Sequence, residues 1–325
     1  MSIMRDIIYG AAARGADFVK LCHEMNFDPQ DLNDTSKPVP FKPAAEIWNV
    51  VLKHTNDPLL GLHLGEEINP TILGMIGYLM QSSKTLEEAM LVLCKYNELY
   101  STMLKYSIEE KAGHIHIHFD AALLWQQEYP ESARQSVEIS MSGAVKLFQT
   151  LSGKKVWPFK VQLAYPVRER PEYERIFQSV IEFNSDCNGL VFRKSDMRLP
   201  VISYDKSLLA FFNEALEEKQ KSLRFNQRLG DRVRQMIISD FKGRIPPIEI
   251  AASNLNITVR SLQRKLKDEN TSYRNIVSNL KKDLAKTILR RPDFRITDVA
   301  NILGYSDSSA FRKAYKKWET SSVQL

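Results

Sequence analysis

Cysteine is scarce in this 325-residue chain: Cys22, Cys94 and Cys187 are scattered and form no CxxC pair. An odd, unclustered set excludes a disulfide framework and a cysteine-built metal centre, and suits reduced thiols packed as small hydrophobes. Long apolar runs are missing too. The longest, near Ile72 to Met80, contains Gly74 and Gly77 and falls short of the ~20 residues a bilayer crossing needs. The first residues, Met1 to Asp6, lack a charged head followed by an apolar core, so no signal peptide is expected and the chain is expected to be cytoplasmic. No glycine-rich phosphate loop, HExxH or nucleophile elbow occurs. Ser152-Gly-Lys-Lys155 has SxxK spacing without its companion motifs and reads as a polar loop turned by Gly153. These absences predict no catalytic residue, no cofactor and no enzyme. An enzyme using a basic region for partner binding stays as the remote alternative.

Charge is present but unevenly placed. Overall the chain carries +6, with 45 Lys and Arg against 39 Asp and Glu. Residues 222–325 hold 21 basic and 10 acidic side chains, a net of +11, leaving −5 for the remainder. A basic third on an acidic body is an electrostatic footprint for a polyanion. No stretch combines Lys and Arg with Trp and Leu anchors, so a membrane partner is not expected.

That basic third writes one phrase twice. Ala252-Ser-Asn-Leu255-Asn256-Ile257-Thr258 precedes Arg260, Leu262, Gln263, Arg264 and Leu266. Ala300-Asn-Ile-Leu303-Gly304-Tyr305-Ser306 precedes Ser308, Phe311, Arg312, Lys313 and Tyr315. The turns are 48 residues apart and the following helices 49, so the second copy carries one extra residue. Each copy reads as helix, tight turn, helix. Ala252 and Ala300 let helices cross closely, and Leu255 and Leu303 close the wedge beneath them. Asn256 and Gly304 suit a left-handed turn. Thr258 and either Ser306 or Asp307 are natural caps for the next helix. Four-residue spacing points Leu262 with Leu266, and Phe311 with Tyr315, to the core. The opposite faces then carry Arg260, Gln263, Arg264 and Lys267 in the first copy, and Ser308, Ser309, Arg312, Lys313 and Lys316 in the second. These nine are the expected DNA-contacting residues.

From about Leu229 to Trp318 the chain resembles the DNA-binding domain of the AraC/XylS family of bacterial transcription regulators. The resemblance implies two helix-turn-helix units, joined by a long helix, entering successive major-groove segments. Tyr273, Ile276, Val277, Leu280, Leu284, Ala285, Ile288 and Leu289 give that joining helix an apolar stripe, stopped by Pro292. Lys281 stands where the family usually carries Arg.

The first two thirds read differently. Helical spacing predicts helices over Ile7–Met25, Pro43–His54, Pro58–Glu66, Thr85–Tyr100, Pro130–Leu151, Pro171–Val180 and Asp205–Lys221. Thr85 with Glu88 forms a capping box. Alternation over Met103–Glu109 and His114–Asp120 predicts a β-hairpin, with further strands at Phe159–Tyr165 and Gly189–Phe192. Asp57-Pro-Leu-Leu-Gly61-Leu-His-Leu-Gly65, Gly74-Met-Ile-Gly77-Tyr78 and Ser82-Ser83-Lys-Thr85-Leu86-Glu-Glu-Ala89 resemble the arabinose-binding-type sensor domain of the same regulators. The family's founding sensor is a β-rich jelly roll; this sequence is more helical, so neither arabinose nor that fold is carried over. Tyr78, Tyr96, Trp125 and Phe148 are candidates to line a pocket, although their helical spacing is more often that of core aromatics. His114, His116 and His118 share one strand face; a solvated polar face accounts for them without a metal, and no metal site is assigned.

The expected architecture is α+β. A mixed helical and antiparallel-sheet domain, residues 1–221, would sense an effector and dimerise, and an all-α domain, residues 222–325, would bind double-stranded DNA. The expected partners are DNA, a small-molecule effector, a second copy of the chain, and RNA polymerase if the protein activates. The alternative is an N-terminal domain that only dimerises or binds a protein partner.

Overall fold

The computed structural model describes residues 2–33, 39, 41–166, 168–226, 228–239, 245–289 and 295–320. The chain divides into two compact units, one of residues 1–121 with 129–221, the other of residues 122–128 with 222–325.

The first unit opens with α1 (Ser2–Ala13) and α2 (Phe18–Glu24), where spacing predicts one helix. The break is local chemistry. Gly15 takes φ +94°, and Asp17 accepts hydrogen bonds from the Val19 and Lys20 amides, starting a new helix. Then come α3 (Phe41–Thr55), α4 (Leu60–Gly65), α5 (Met75–Gln81) and α6 (Leu86–Tyr96). Thr85 caps α6 by accepting from the Glu88 amide, while the Glu88 carboxylate reaches the Lys84 amide rather than that of Thr85. The hairpin follows as β1 (Leu104–Lys111) and β2 (His114–Ala121), turned by Ala112 and Gly113, both at positive φ. Next are α7 (Leu123–Glu128), counted with the second unit, and α8 (Pro130–Ser152). The remainder runs β3 (Lys160–Leu163), α9 (Arg170–Phe177), β4 (Val180–Phe183), β5 (Gly189–Arg193), α10 (Lys194–Met197) and α11 (Lys206–Asn226).

The strands form one sheet in the order β1-β2-β5-β3-β4. All pairings are antiparallel except β3 with β4, which the intervening α9 connects as a parallel pair. Val180 therefore begins a strand rather than ending a helix. Period-two alternation sorts the faces. Tyr106, Ile115, Ile117, Phe119, Leu190, Phe192, Val161 and Leu163 are buried. Phe148 of α8 packs edge-on against Phe192, and the Tyr106 hydroxyl lies 3.1 Å from Ser140 Oγ, so α8 covers this face. His114, His116 and His118 stand half-buried on the other.

α4 and α8 cross unusually closely. A Cβ on Gly61 would lie 2.2 Å from the Gln135 carbonyl oxygen, and one on Gly65 1.8 Å from Ser142 Oγ. The approach lets the Gly61 amide donate to Gln135 Oε1 at 2.6 Å, while Gln135 Nε2 donates to the Pro58 carbonyl at 2.7 Å.

The second unit is helical, with α12 (Leu229–Ser239), α13 (Ile248–Asn254), α14 (Val259–Asp268), α15 (Tyr273–Ile288), α16 (Ile296–Ile302) and α17 (Ser308–Thr320). Val233, Ala252, Leu262, Leu266, Leu280, Ala300 and Phe311 belong to a single buried cluster, so both helix-turn-helix units share one core laid along α15. Pro292, expected to stop that helix, lies outside the described residues.

Candidate nucleic-acid interface

Each unit is built by the same backbone device. After α13 the Leu255 amide donates to the Ala251 carbonyl and the Ile257 amide to that of Ala252, with Asn256 at φ +55°. After α16 the Leu303 amide donates to Val299 and the Tyr305 amide to Ala300, with Gly304 at φ +69°. This is a left-handed C-terminal cap, which satisfies carbonyls the helix leaves open.

The copies then diverge by one residue. Thr258 Oγ1 accepts from the Ser261 amide at 3.2 Å and starts α14. In the second copy the cap is Asp307, not Ser306: its Oδ1 accepts from the Ser309 and Ala310 amides, each at 2.8 Å. Those amide bonds, the Ala310 amide first, hold the Asp307 carboxyl below its ordinary range. The inserted residue thus precedes the cap. Beyond it α14 and α17 start 49 residues apart, and that offset aligns Leu262 with Phe311, Gln263 with Arg312, Arg264 with Lys313 and Lys267 with Lys316.

Burial follows the spacing. Leu262, Leu266 and Phe311 are almost inaccessible, and Tyr315 is half-buried. Arg260, Gln263, Arg264 and Lys267 are exposed on α14; Ser309, Arg312, Lys313 and Lys316 are exposed on α17, where Ser308 is half-buried in the first turn. Lys265 is exposed on α14 as well, and Arg274 in the first turn of α15, although helical spacing alone singles out neither. Several arginines of the first unit are held by carboxylates: Arg14 pairs with Glu67 at 2.8 Å, Arg175 with Glu66 at 2.5 Å and Arg168 with Glu131 at 3.1 Å. Among the described residues Arg260, Arg264, Lys267 and Arg312 have no such ion pair. A positive face left uncompensated is suited to phosphates, and its Arg and Gln forks match the hydrogen-bonding edges of bases.

Other sequence-singled residues fall elsewhere. Tyr96, Trp125 and Phe148 are buried, whereas Tyr78 is exposed and stacks on Phe212 with ring centroids 5.6 Å apart. The His116 and His118 rings stack 6.4 Å apart, and His118 Nε2 lies 3.2 Å from Glu109 Oε1. Burial, with His118 beside it, lowers the His116 pKa. Among the described residues no three His, Cys, Asp or Glu side chains are grouped to hold a metal ion. No helix among them is long and apolar enough to cross a membrane.

Paired helix-turn-helix units on one core define a DNA-binding protein of the two-unit class. Family profiles make the assignment specific: residues 15–201 match the arabinose-binding N-terminal domain of AraC transcription regulators, and residues 251–324 match a helix-turn-helix domain. The chain belongs to the AraC family and is a DNA-binding transcription regulator. It is 26% identical to the ornithine utilization regulator of Pseudomonas aeruginosa, over 81% of this chain and 76% of that one. Its identity with the regulator VqsM of the same organism is 23%, over 81% and 82% of the two chains. A structural comparison with the transcriptional regulator CdpR, also from Pseudomonas aeruginosa, gives a TM-score of 0.47 at 22% identity over 92% of each chain.

Proposed function

We propose that α14 and α17 are the two recognition helices. Arg260, Gln263, Arg264, Lys267, Ser308, Ser309, Arg312, Lys313 and Lys316 face the DNA in this reading. The carrying observation is the pair of equivalently capped helices, each anchored by apolar side chains and each presenting basic groups. Two such helices one turn of DNA apart, ~34 Å, would occupy successive major grooves on one face of the duplex. Footprinting on DNA upstream of the protein's own and neighbouring genes tests this; two protected major-groove segments about one helical turn apart are expected, and a single one would remove α17 from the reader.

The first unit, in the same reading, binds a small-molecule effector and pairs two chains in the cytoplasm, and RNA polymerase is a further partner if the protein activates. An effector must bind one arrangement of the protein better than another, since equal affinity shifts nothing. A first unit that only dimerises or holds a protein partner is the competing reading. Thermal-shift screening of the full chain against metabolites, ornithine among them because one relative is named for its utilization, separates the two. A saturable rise in melting temperature supports sensing, and its absence across the screen supports the competing reading.

A further inference from the structure

The amides that open α12 are capped from another helix. A helix leaves its first amides without partners, and a side-chain oxygen just before it ordinarily takes them. Here that position belongs to Arg228, whose side chain has no acceptor, and the helix begins with Leu229 and Gly230. The half-buried Glu269 supplies the oxygens instead. Its Oε1 accepts from the Leu229 amide at 2.5 Å and its Oε2 from the Gly230 amide at 2.8 Å. Both oxygens are engaged, and the anion meets the positive end of the helix dipole. Gly230 gives the carboxylate its room, since a Cβ there would stand 3.3 Å from Oε2 and 3.6 Å from side-chain atoms of Thr271 and Ile276. Leu229 and Val233 fix α12 in the shared core.

Glu269 is also the residue at which α14 ends. Its amide donates to the Lys265 carbonyl at 3.2 Å, and Asn270, at φ +57°, turns the chain away. The carboxylate therefore ties the end of one helix to the start of another. On one side, α14 carries Arg260, Gln263, Arg264 and Lys267. On the other, α12 follows α11 after only Gln227 and Arg228, and α11 belongs to the first unit as far as Lys221. The second copy is tied differently. The 49-residue offset aligns Glu269 with Trp318, whose indole N–H donates to Ser278 of α15 at 3.2 Å. Matching positions thus pin α14 to the helix beside the incoming chain and α17 to the helix that joins the copies.

We infer that Glu269 is a positioning residue for DNA recognition, which sets α14 by the chain entering from α11 and leaves α17 independent of it. Resting on the reading of α14 and α17 as recognition helices, this names the route by which the first unit acts on one half of the site. The sign of the effect identifies the role. An acidic group beside phosphates opposes binding, so a purely electrostatic part predicts tighter binding to every sequence once it is neutralised. A positioning part predicts weaker binding to the cognate site alone.

The test compares the full-length wild type with Glu269→Gln, which keeps the size but one acceptor oxygen, and Glu269→Asp, which keeps the charge but falls a methylene short. Footprints and affinities are measured on cognate and random DNA, well below the melting temperature of each protein. Both variants should lose about tenfold in cognate affinity, the order of one charge-assisted hydrogen bond. Protection should fade over the α14 half and persist over the α17 half, with random DNA bound no less tightly. Two glycines inserted between Gln227 and Arg228 should cause the same half-site loss in the wild type. The insertion should add little in Glu269→Gln, because one connection is then broken twice. Should Glu269→Gln fail to fold, Glu269→Asp carries the insertion instead. Unchanged or tighter cognate binding, a loss shared equally by both halves, or additive costs in the double variant overturns the inference and leaves a helix cap. Arg264→Ala separates the two levels of the argument. If it removes the α14 half while both Glu269 variants keep it, the inference falls and the recognition reading stands. If Arg264→Ala spares that half as well, both fall.

Discussion

Nζ of Lys281 lies 4.4 Å from the centroid of the Tyr305 ring, joining the middle of α15 to the turn of the second helix-turn-helix. The contact is half-buried, and burial lowers the lysine pKa. A lysine turned inward on an aromatic face is a positioning group, unlike the uncompensated cations of α14. Trp318 supports the same joint, its indole N–H donating to Ser278 Oγ of α15 at 3.2 Å.

Lys281→Ala should therefore weaken DNA binding through orientation. The expected loss of stability is about 0.5–2 kcal/mol, the range for a cation–π contact between exposed and desolvated. The slope of log affinity against log salt should stay unchanged, because no phosphate contact is removed. Lys281→Arg, which can stack on the same ring, should restore binding. A reduced salt slope in Lys281→Ala would show that the side chain meets DNA instead.

Contacts made only by exposed side chains should behave oppositely. Arg264→Ala should leave melting unchanged and weaken the cognate site by about 1–3 kcal/mol more than random DNA, if its fork reads a base. Lys267→Ala should weaken both DNAs alike and lower the salt slope by about one unit, if it meets a phosphate. Titrations at several salt concentrations on both DNAs distinguish these outcomes.

How far the sequence reveals this depends on the range of each interaction. Asn256, Gly304 and Thr258 act within a few residues, so their turn and cap chemistry can be read directly from the chain. Ser306 and Asp307 are both good caps, and only the amide geometry selects Asp307. The break between α1 and α2 is hidden because apolar residues keep helical spacing across it, through Ile7, Ala11, Phe18 and Leu21. Parallel pairing of β3 with β4 depends on contacts 20 residues apart, as between Lys160 and Val180. The buried charges of α8 are invisible to helical spacing. Charged residues at helical intervals read as a solvent face, yet Arg134 and Glu138 are buried because α9 and Tyr165 close over them.

The crossing of α4 and α8 gives a stability prediction. In Gly65→Ala the new Cβ would sit 1.8 Å from Ser142 Oγ and 2.7 Å from the Ile139 carbonyl oxygen. Overpacking of this kind costs about 1–3 kcal/mol. Adding Ser142→Ala should recover little, since the backbone clash with Ile139 remains. Chemical denaturation of the single and double variants checks this; full recovery in the double variant would place the strain on Ser142 alone.

Truncating the inward residues separates scaffold from reader. Leu262→Ala and Phe311→Ala each leave a cavity in the shared core, at about 2–5 kcal/mol. Both helix-turn-helix units rest on that core, so either variant should lower melting of the second unit and reduce binding at both halves of the footprint. A Phe311→Ala protein that melts normally but fails to bind would mean Phe311 contacts DNA.

Glu138 offers a test by pH. Burial is the main cause raising its carboxyl to about 7, against the lowering effects of Arg134 and Tyr173. The folded pKa thus lies above the unfolded value near 4.5, and between the two the native state binds more protons than the unfolded one. Glu138 should therefore favour the fold below pH ~4.5 and lose that contribution as pH rises towards ~7. Glu131 and Glu172 work in the opposite sense, because their carboxyls are lowered and their stabilisation fades as pH falls. Glu138 must accordingly be isolated by difference. The stability of the wild type minus that of Glu138→Gln should fall across this window and level off above it. A difference that stays flat from pH 4.5 to 7 would mean that Glu138 is ionised in the fold, held by Arg134 despite its burial.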